Sequence, residues 1–208
     1  MLKSAKRKFW INIIVIAFFA VLLHEFAHLL AALSLGLDVN AYSIGFGPQM
    51  FSWQWGGIEW RIGPILLGGF VELTEMSNDL LATVRPWWHM FWFSSVGVAL
   101  NGLIAFAALR IYKKYYPPKT DLTKPGRGEI FLMACIYVNG LLFIFNLLPF
   151  MFLDGWKVWG SLFLAVLPQL GSLWVFVGYF GFMFMRMPLY RKLENTFLGP
   201  VRNLRLLK

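Results

Sequence analysis

Only one of the 208 residues is cysteine, Cys135, and only three are histidine. A single thiol excludes an intramolecular disulfide and a metal site built from several thiolates. Charge is scarce as well. Charged residues make up 14% of the chain, against about 25% in a typical soluble domain, while 59% are hydrophobic. That balance excludes an ordinary soluble domain and reads as one compact unit built of membrane spans. The formal net charge of +9 does not point to nucleic acid. Most basic residues sit just outside apolar runs, where they set topology and meet lipid headgroups. Lys3, Lys6, Arg7 and Lys8 precede the first apolar run as they would in a signal peptide, but no small-x-small cleavage site follows it. The run is therefore expected to stay as a span. Internal repeats and low-complexity segments are also missing.

The apolar runs predict an all-α membrane protein with about four transmembrane helices, over residues 9–35, 88–112, 130–153 and 172–187. Trp10, Trp87 and Trp88 mark span ends, as an aromatic belt would. Between the first two spans, residues 38–85 have no helical period. Phe51, Trp53 and Trp55 alternate with polar residues, as do Ile58, Trp60 and Ile62, and Gly56-Gly57 lies between the two runs. This is the pattern of a β-hairpin, part of a small membrane-associated β-sheet. The segment ILLGGFVEL that follows is too short to span as a helix and reads as a further strand. The third span cannot stay regular to its end because Pro149 removes a backbone donor. A helical segment is expected to resume over residues 155–167. The basic tail, residues 189–208, is loosely amphipathic and is expected on the membrane surface.

Within the first run stands His24-Glu25-Phe26-Ala27-His28. Histidines at i and i+4 lie one turn apart on one helix face, so their imidazoles can converge on one ion. Glu25 projects near the same ion and can take a proton from water held there, the general-base role of an H-E-x-x-H metalloprotease. Ionisable groups amid hydrocarbon mark a functional site by default, and a metal-free His-Glu-His hydrogen-bond cluster is the plain alternative. A catalytic zinc site takes three protein ligands and keeps an open position. The third could come from His89, at a span end beside aromatics, or from Glu72 or Glu75 if the loop folds back. Asp154 is the better choice, being intramembrane and just after a helix break. A structural Asp154–Lys157 pair is its alternative reading.

HEFAH, RIGPILLGGFVEL and NLLPFMFLDG, in that order, resemble the site-2 protease family of intramembrane zinc metalloproteases, most closely the bacterial envelope-stress regulators. AYSIGFGPQMF and SSVGVALNGLIAF add to the likeness, which covers residues 20–155. The resemblance implies Zn2+ held by His24, His28 and Asp154, with Glu25 activating water. It implies that Asn101 and Asn146 line or brace the site near the substrate backbone. It also makes GPILLGGF, with Gly68 and Gly69, the loop that pairs with an unwound substrate segment. Val98 stands where the family pattern has proline. About fifteen residues join the second and third spans, leaving no room there for the PDZ modules of larger relatives.

The expected activity is a zinc-dependent endopeptidase acting on transmembrane or membrane-embedded substrates, in the lipid bilayer of a bacterial or archaeal cell membrane. The alternative is a non-catalytic membrane protein that binds metal or escorts a partner, which would need the ligands but not Glu25. Residues 1–208 read as one domain, and the sequence names no substrate and no oligomeric state. Of the nineteen basic residues, all but Arg61, Arg85 and Lys157 fall on the side of the termini, which predicts cytoplasmic termini. The family resemblance implies the opposite orientation.

Overall fold

The computed structural model describes residues 2–116, 125–151, 153–167 and 188–197. Helix α1 (Leu2–Ser34) runs unbroken through the first apolar run. Ile14, Phe19, Leu30 and Leu33 point outward from it, while Ala20, Val21, Leu29 and Ala32 are buried. One side of the helix is thus made for lipid and the other for protein. Its end is closed by bonds from the Gly36 and Leu37 amides to the Leu33 and Ala32 carbonyls, which satisfies otherwise orphaned acceptors.

Four strands follow: β1 (Val39–Phe46), β2 (Phe51–Trp55), β3 (Ile58–Ile62) and β4 (Ile65–Leu73). They form one mixed sheet in the order β2-β3-β1-β4. The hairpin predicted at Gly56-Gly57 is present. Both glycines have positive φ, +64° and +80°, as a tight two-residue hairpin turn requires. The hairpin lays β3 parallel to β1, with Tyr42 opposite Trp60, and β4 pairs antiparallel to the other side of β1. Phe51, Trp53 and Trp55 pair with Ile62, Trp60 and Ile58, so one face of the hairpin is wholly apolar. The other face carries Arg61, bonded to Glu59 at 2.6 Å and Glu72 at 2.7 Å. Arg61, aided by Gln49, holds the Glu59 carboxyl below the usual carboxylate range. Tyr42 fastens the sheet to the first helix by donating its hydroxyl to the Leu22 carbonyl at 2.8 Å. In consequence β4, an edge strand, is held beside α1.

A short helix α2 (Glu75–Asp79), capped by the Thr74 side chain, and a π-helical turn (Leu80–Val84) lead to α3 (Trp87–Tyr115). Helix α4 (Arg127–Asn146) stops three residues before Pro149, and α5 (Asp154–Val166) begins with the carboxylate itself. The break predicted around Pro149 is therefore a turn between two helices. Helices α3 and α4 pack on each other and on α1, and α5 packs on α3. Residues 7–34, 87–115 and 127–146 are long and apolar enough to cross a membrane. At 1.5 Å per residue even the shortest reaches about 30 Å, the thickness of a hydrocarbon core. The protein is an integral membrane protein with three candidate spans among the described residues. The fourth expected span, residues 172–187, lies outside them.

Part of the tail departs from expectation. Helix α6 (Pro188–Phe197) does not simply lie on a surface, because Phe197 is buried against Ala105, Ile144 and Leu148. Gly140 leaves a notch on α4 that this phenylalanine fills; a methyl carbon on Gly140 would sit 2.6 Å from the Phe197 Cβ. Lys192, Asn195 and Thr196 face outward. The amphipathic pattern was readable, but the notch that receives its apolar side exists only once α4 is folded.

Candidate active site

His24 and His28 are buried on α1, one turn apart, with their Nε2 atoms 3.2 Å from each other. The turn after α4 delivers Asp154 to the same point. Its Oδ2 lies 2.9 Å from His24 Nε2 and 3.2 Å from His28 Nε2. Asp154 is the third-ligand candidate that the fold brings to the histidines. His89 instead stacks on Trp88, 3.7 Å between ring centroids, Glu72 is paired with Arg61, and Glu75 is exposed at the start of α2.

The far sides of both imidazoles are held as well. His28 Nδ1 lies 2.6 Å from the Phe93 carbonyl. A carbonyl can only accept, so Nδ1 carries the proton and Nε2 is left with a bare lone pair. His24 is held through a buried chain of side-chain amides. Asn139 donates its Nδ2 to the Cys135 carbonyl at 3.1 Å, which fixes the orientation of its amide. Its Oδ1 then accepts from Asn101 Nδ2 at 3.0 Å, and Asn101 Oδ1 accepts from His24 Nδ1. His24 Nε2 is therefore also bare. Two imidazole Nε2 atoms and a carboxylate oxygen converge within 4.8 Å, and with both rings neutral each Nε2 offers a lone pair. These donors are those of a three-ligand zinc site with an open position. Helix α3 comes close enough to cradle the pair: a methyl carbon on Gly97 would lie 2.5 Å from His28 Nε2 and 2.9 Å from His24 Nε2. The residues fit the ion.

These groups open on a cavity of about 310 Å3 that is also bordered by Glu25, Asn146 and Lys157. The opposite wall is β4, from Gly68 to Val71. Gly69 lies hard against the carboxylate residue, since a methyl carbon there would be 2.8 Å from Glu25 Cγ and 2.5 Å from the Ser43 carbonyl oxygen. Neither Gly68 nor Gly69 has positive φ, so close approach is what glycine provides at these positions. Asn101 is fully buried behind His24, where it braces the ring, whereas Asn146 faces the cavity.

Sequence reasoning passed over Asn139, Gly97 and the Phe93 carbonyl. A polar residue within the third apolar run was a visible signal for Asn139. Gly97 was hidden inside an apolar segment, and a backbone carbonyl leaves no trace in the residue type.

Residues 12–117 match the model of peptidase family M50. A Nostoc protein named as a candidate zinc metalloprotease is 41% identical over 97 residues, 43% of this chain and 27% of the relative. A Chlamydia trachomatis protein similarly named is 44% identical over 61 residues, 29% of this chain and 10% of the relative. A chloroplastic membrane metalloprotease of Arabidopsis thaliana is 28% identical over 97 residues, 43% of this chain and 22% of the relative. The matched stretches thus span only about a tenth to a quarter of these relatives. The family match covers just over half of the chain and contains the HEFAH helix, the sheet and α3 with Gly97 and Asn101. The chain belongs to peptidase family M50, the site-2 protease family of membrane zinc metalloproteases.

Proposed function

We propose that the protein is an endopeptidase that cuts peptide bonds of substrates reaching it from within the bilayer. The observation that carries this reading is the position of Glu25. Its carboxylate residue borders the same cavity as the three donor atoms yet is not one of them. Metal storage needs the donors and has no use for a base. His24, His28 and Asp154 would hold zinc, which supplies Lewis acidity toward a carbonyl and makes water a better nucleophile. Glu25 then takes the proton of the attacking water and delivers it to the departing amine nitrogen. Asn101 and the Phe93 carbonyl hold both imidazoles at the angle this geometry requires.

A helical substrate hides its amides, so a segment must unwind before it can be cut. Strand β4 supports such a step, because among the described residues one of its edges is unpaired and the Gly68–Val71 stretch borders the cavity. Substrate backbone can add to that edge as a further strand. Substrates with helix-breaking residues near the scissile bond are favoured on this reading. The distribution of basic residues supports cytoplasmic termini. The test of function is cleavage of a membrane-inserted peptide by purified protein, before and after treatment with a zinc chelator. Cleavage that survives removal of the metal would sink the proposal.

A further inference from the structure

Lys157 borders the cavity, yet the chemistry above leaves it without a task. It stands three residues after Asp154 on α5, hence on the same helix face. Its Nζ lies 5.7 Å from the centre of the Phe93 ring, and Phe93 is the residue whose carbonyl holds His28. The Asp154–Lys157 pair that was the alternative reading of Asp154 is not formed. Asp154 Oδ2 is shared by the two imidazoles, and the other ion pairs among the described residues join Arg61 to Glu59 and Glu72. The ammonium therefore has an aromatic ring to hold it toward the cavity and, among the described residues, no carboxylate within 4.0 Å. Among the described residues, no other lysine or arginine lines that cavity.

The charges of the site sharpen the point. Lys157 is exposed at the cavity, and its positive charge is felt by Glu25 without a close ion pair. Among the described residues no carboxylate stands within ion-pair distance of the ammonium, which leaves it open to a negatively charged group entering the cavity. We propose that the partner is a carboxylate of the bound substrate, making Lys157 a specificity-determining residue. The carboxylate is an Asp or Glu side chain near the scissile bond, or the free C-terminus of an already shortened chain. The inference rests on the endopeptidase reading for its context, but binding alone can test it.

The full-length Glu25→Gln protein, loaded with zinc in detergent, is titrated with fluorescent peptides that differ only in charge. One set carries Glu or Gln at successive positions with an amidated end. A second set keeps Gln and compares free with amidated C-termini. We expect about tenfold tighter binding of peptides with a carboxylate at one favoured place, the scale of a close charge pair across an interface. The added variant Lys157→Met should erase the preference, and Lys157→Glu should reverse it toward lysine-bearing peptides. Zinc content and melting temperature check that both variants are folded. The set that shows the preference identifies the source of the carboxylate. A preference that persists in Lys157→Met, equal binding of all peptides, or no binding of any overturns the inference. If the preference is found while the Glu25 protein cuts nothing, the endopeptidase reading fails by itself.

Discussion

Asn139 on α4 and Asn101 on α3 share a buried hydrogen bond of 3.0 Å, with the Asn101 amide donating. Through it the Cys135 carbonyl, on a helix that contributes no metal-ligand candidate, decides which nitrogen of His24 carries the proton. Outer partners of this kind typically change metal affinity or activity by about 10- to 100-fold when removed. Asn139→Leu should therefore weaken zinc binding by a factor in that range while leaving the helices folded. Asn139→Ser, which keeps an acceptor oxygen, should lose less. Zinc affinity measured by competition with a chromophoric chelator checks both, and equal affinity in Asn139→Leu and wild type would remove this chain from the account.

The two glycines of β4 should differ in sensitivity. Added carbon at Gly69 runs into the Ser43 backbone and the Glu25 side chain, neither of which can yield without moving the base. Added carbon at Gly68 meets only the far edge of the Phe46 ring. Gly69→Val is expected to cut activity by at least about 100-fold, the scale on which a misplaced general base matters. Gly68→Val should be markedly milder. Peptide cleavage by the two variants at equal zinc content tests the difference, and equal losses would mean that the close approach to Glu25 is unimportant.

Zinc content should follow the donors rather than the histidine count. Asp154→Ala removes the oxygen shared by both imidazoles and should release the metal, whereas His89→Ala, away from the cluster, should keep it. Elemental analysis of the purified variants decides. Retention of zinc by Asp154→Ala would break the assignment of the third ligand.

Much of this arrangement could be read from the chain because it rests on local chemistry. The i, i+4 histidines need only a helix, and the Gly-Gly hairpin needs only alternation around a turn that tolerates positive φ. Asp154 could be picked out because a carboxylate after a proline break in an apolar run has few other uses. Sheet order was not legible: the parallel contact of β1 with β3 depends on how the hairpin folds over, which no local pattern records. Nor was the close packing at Gly97 and Gly140, where the reason for glycine is a side chain from another helix.

The proposed orientation in the membrane rests on charge. With cytoplasmic termini, a cysteine at Ser52, exposed on the outer strand β2, should react with an impermeant thiol reagent added to intact cells once Cys135 is replaced. One placed at Lys119 should react only after the cells are opened. The reverse pattern would show that the arrangement implied by the resemblance to envelope-stress proteases prevails over the positive-inside rule.

A base and a ligand at position 25 are told apart by measuring zinc stoichiometry and peptide cleavage on the same preparation of Glu25→Gln. An amide cannot take the proton, yet the substitution leaves His24, His28 and Asp154 in place. The account predicts wild-type zinc content with cleavage reduced to about one per cent or less, the loss expected for a general base. Substantial turnover by the zinc-loaded variant, or loss of the metal together with the activity, would contradict it.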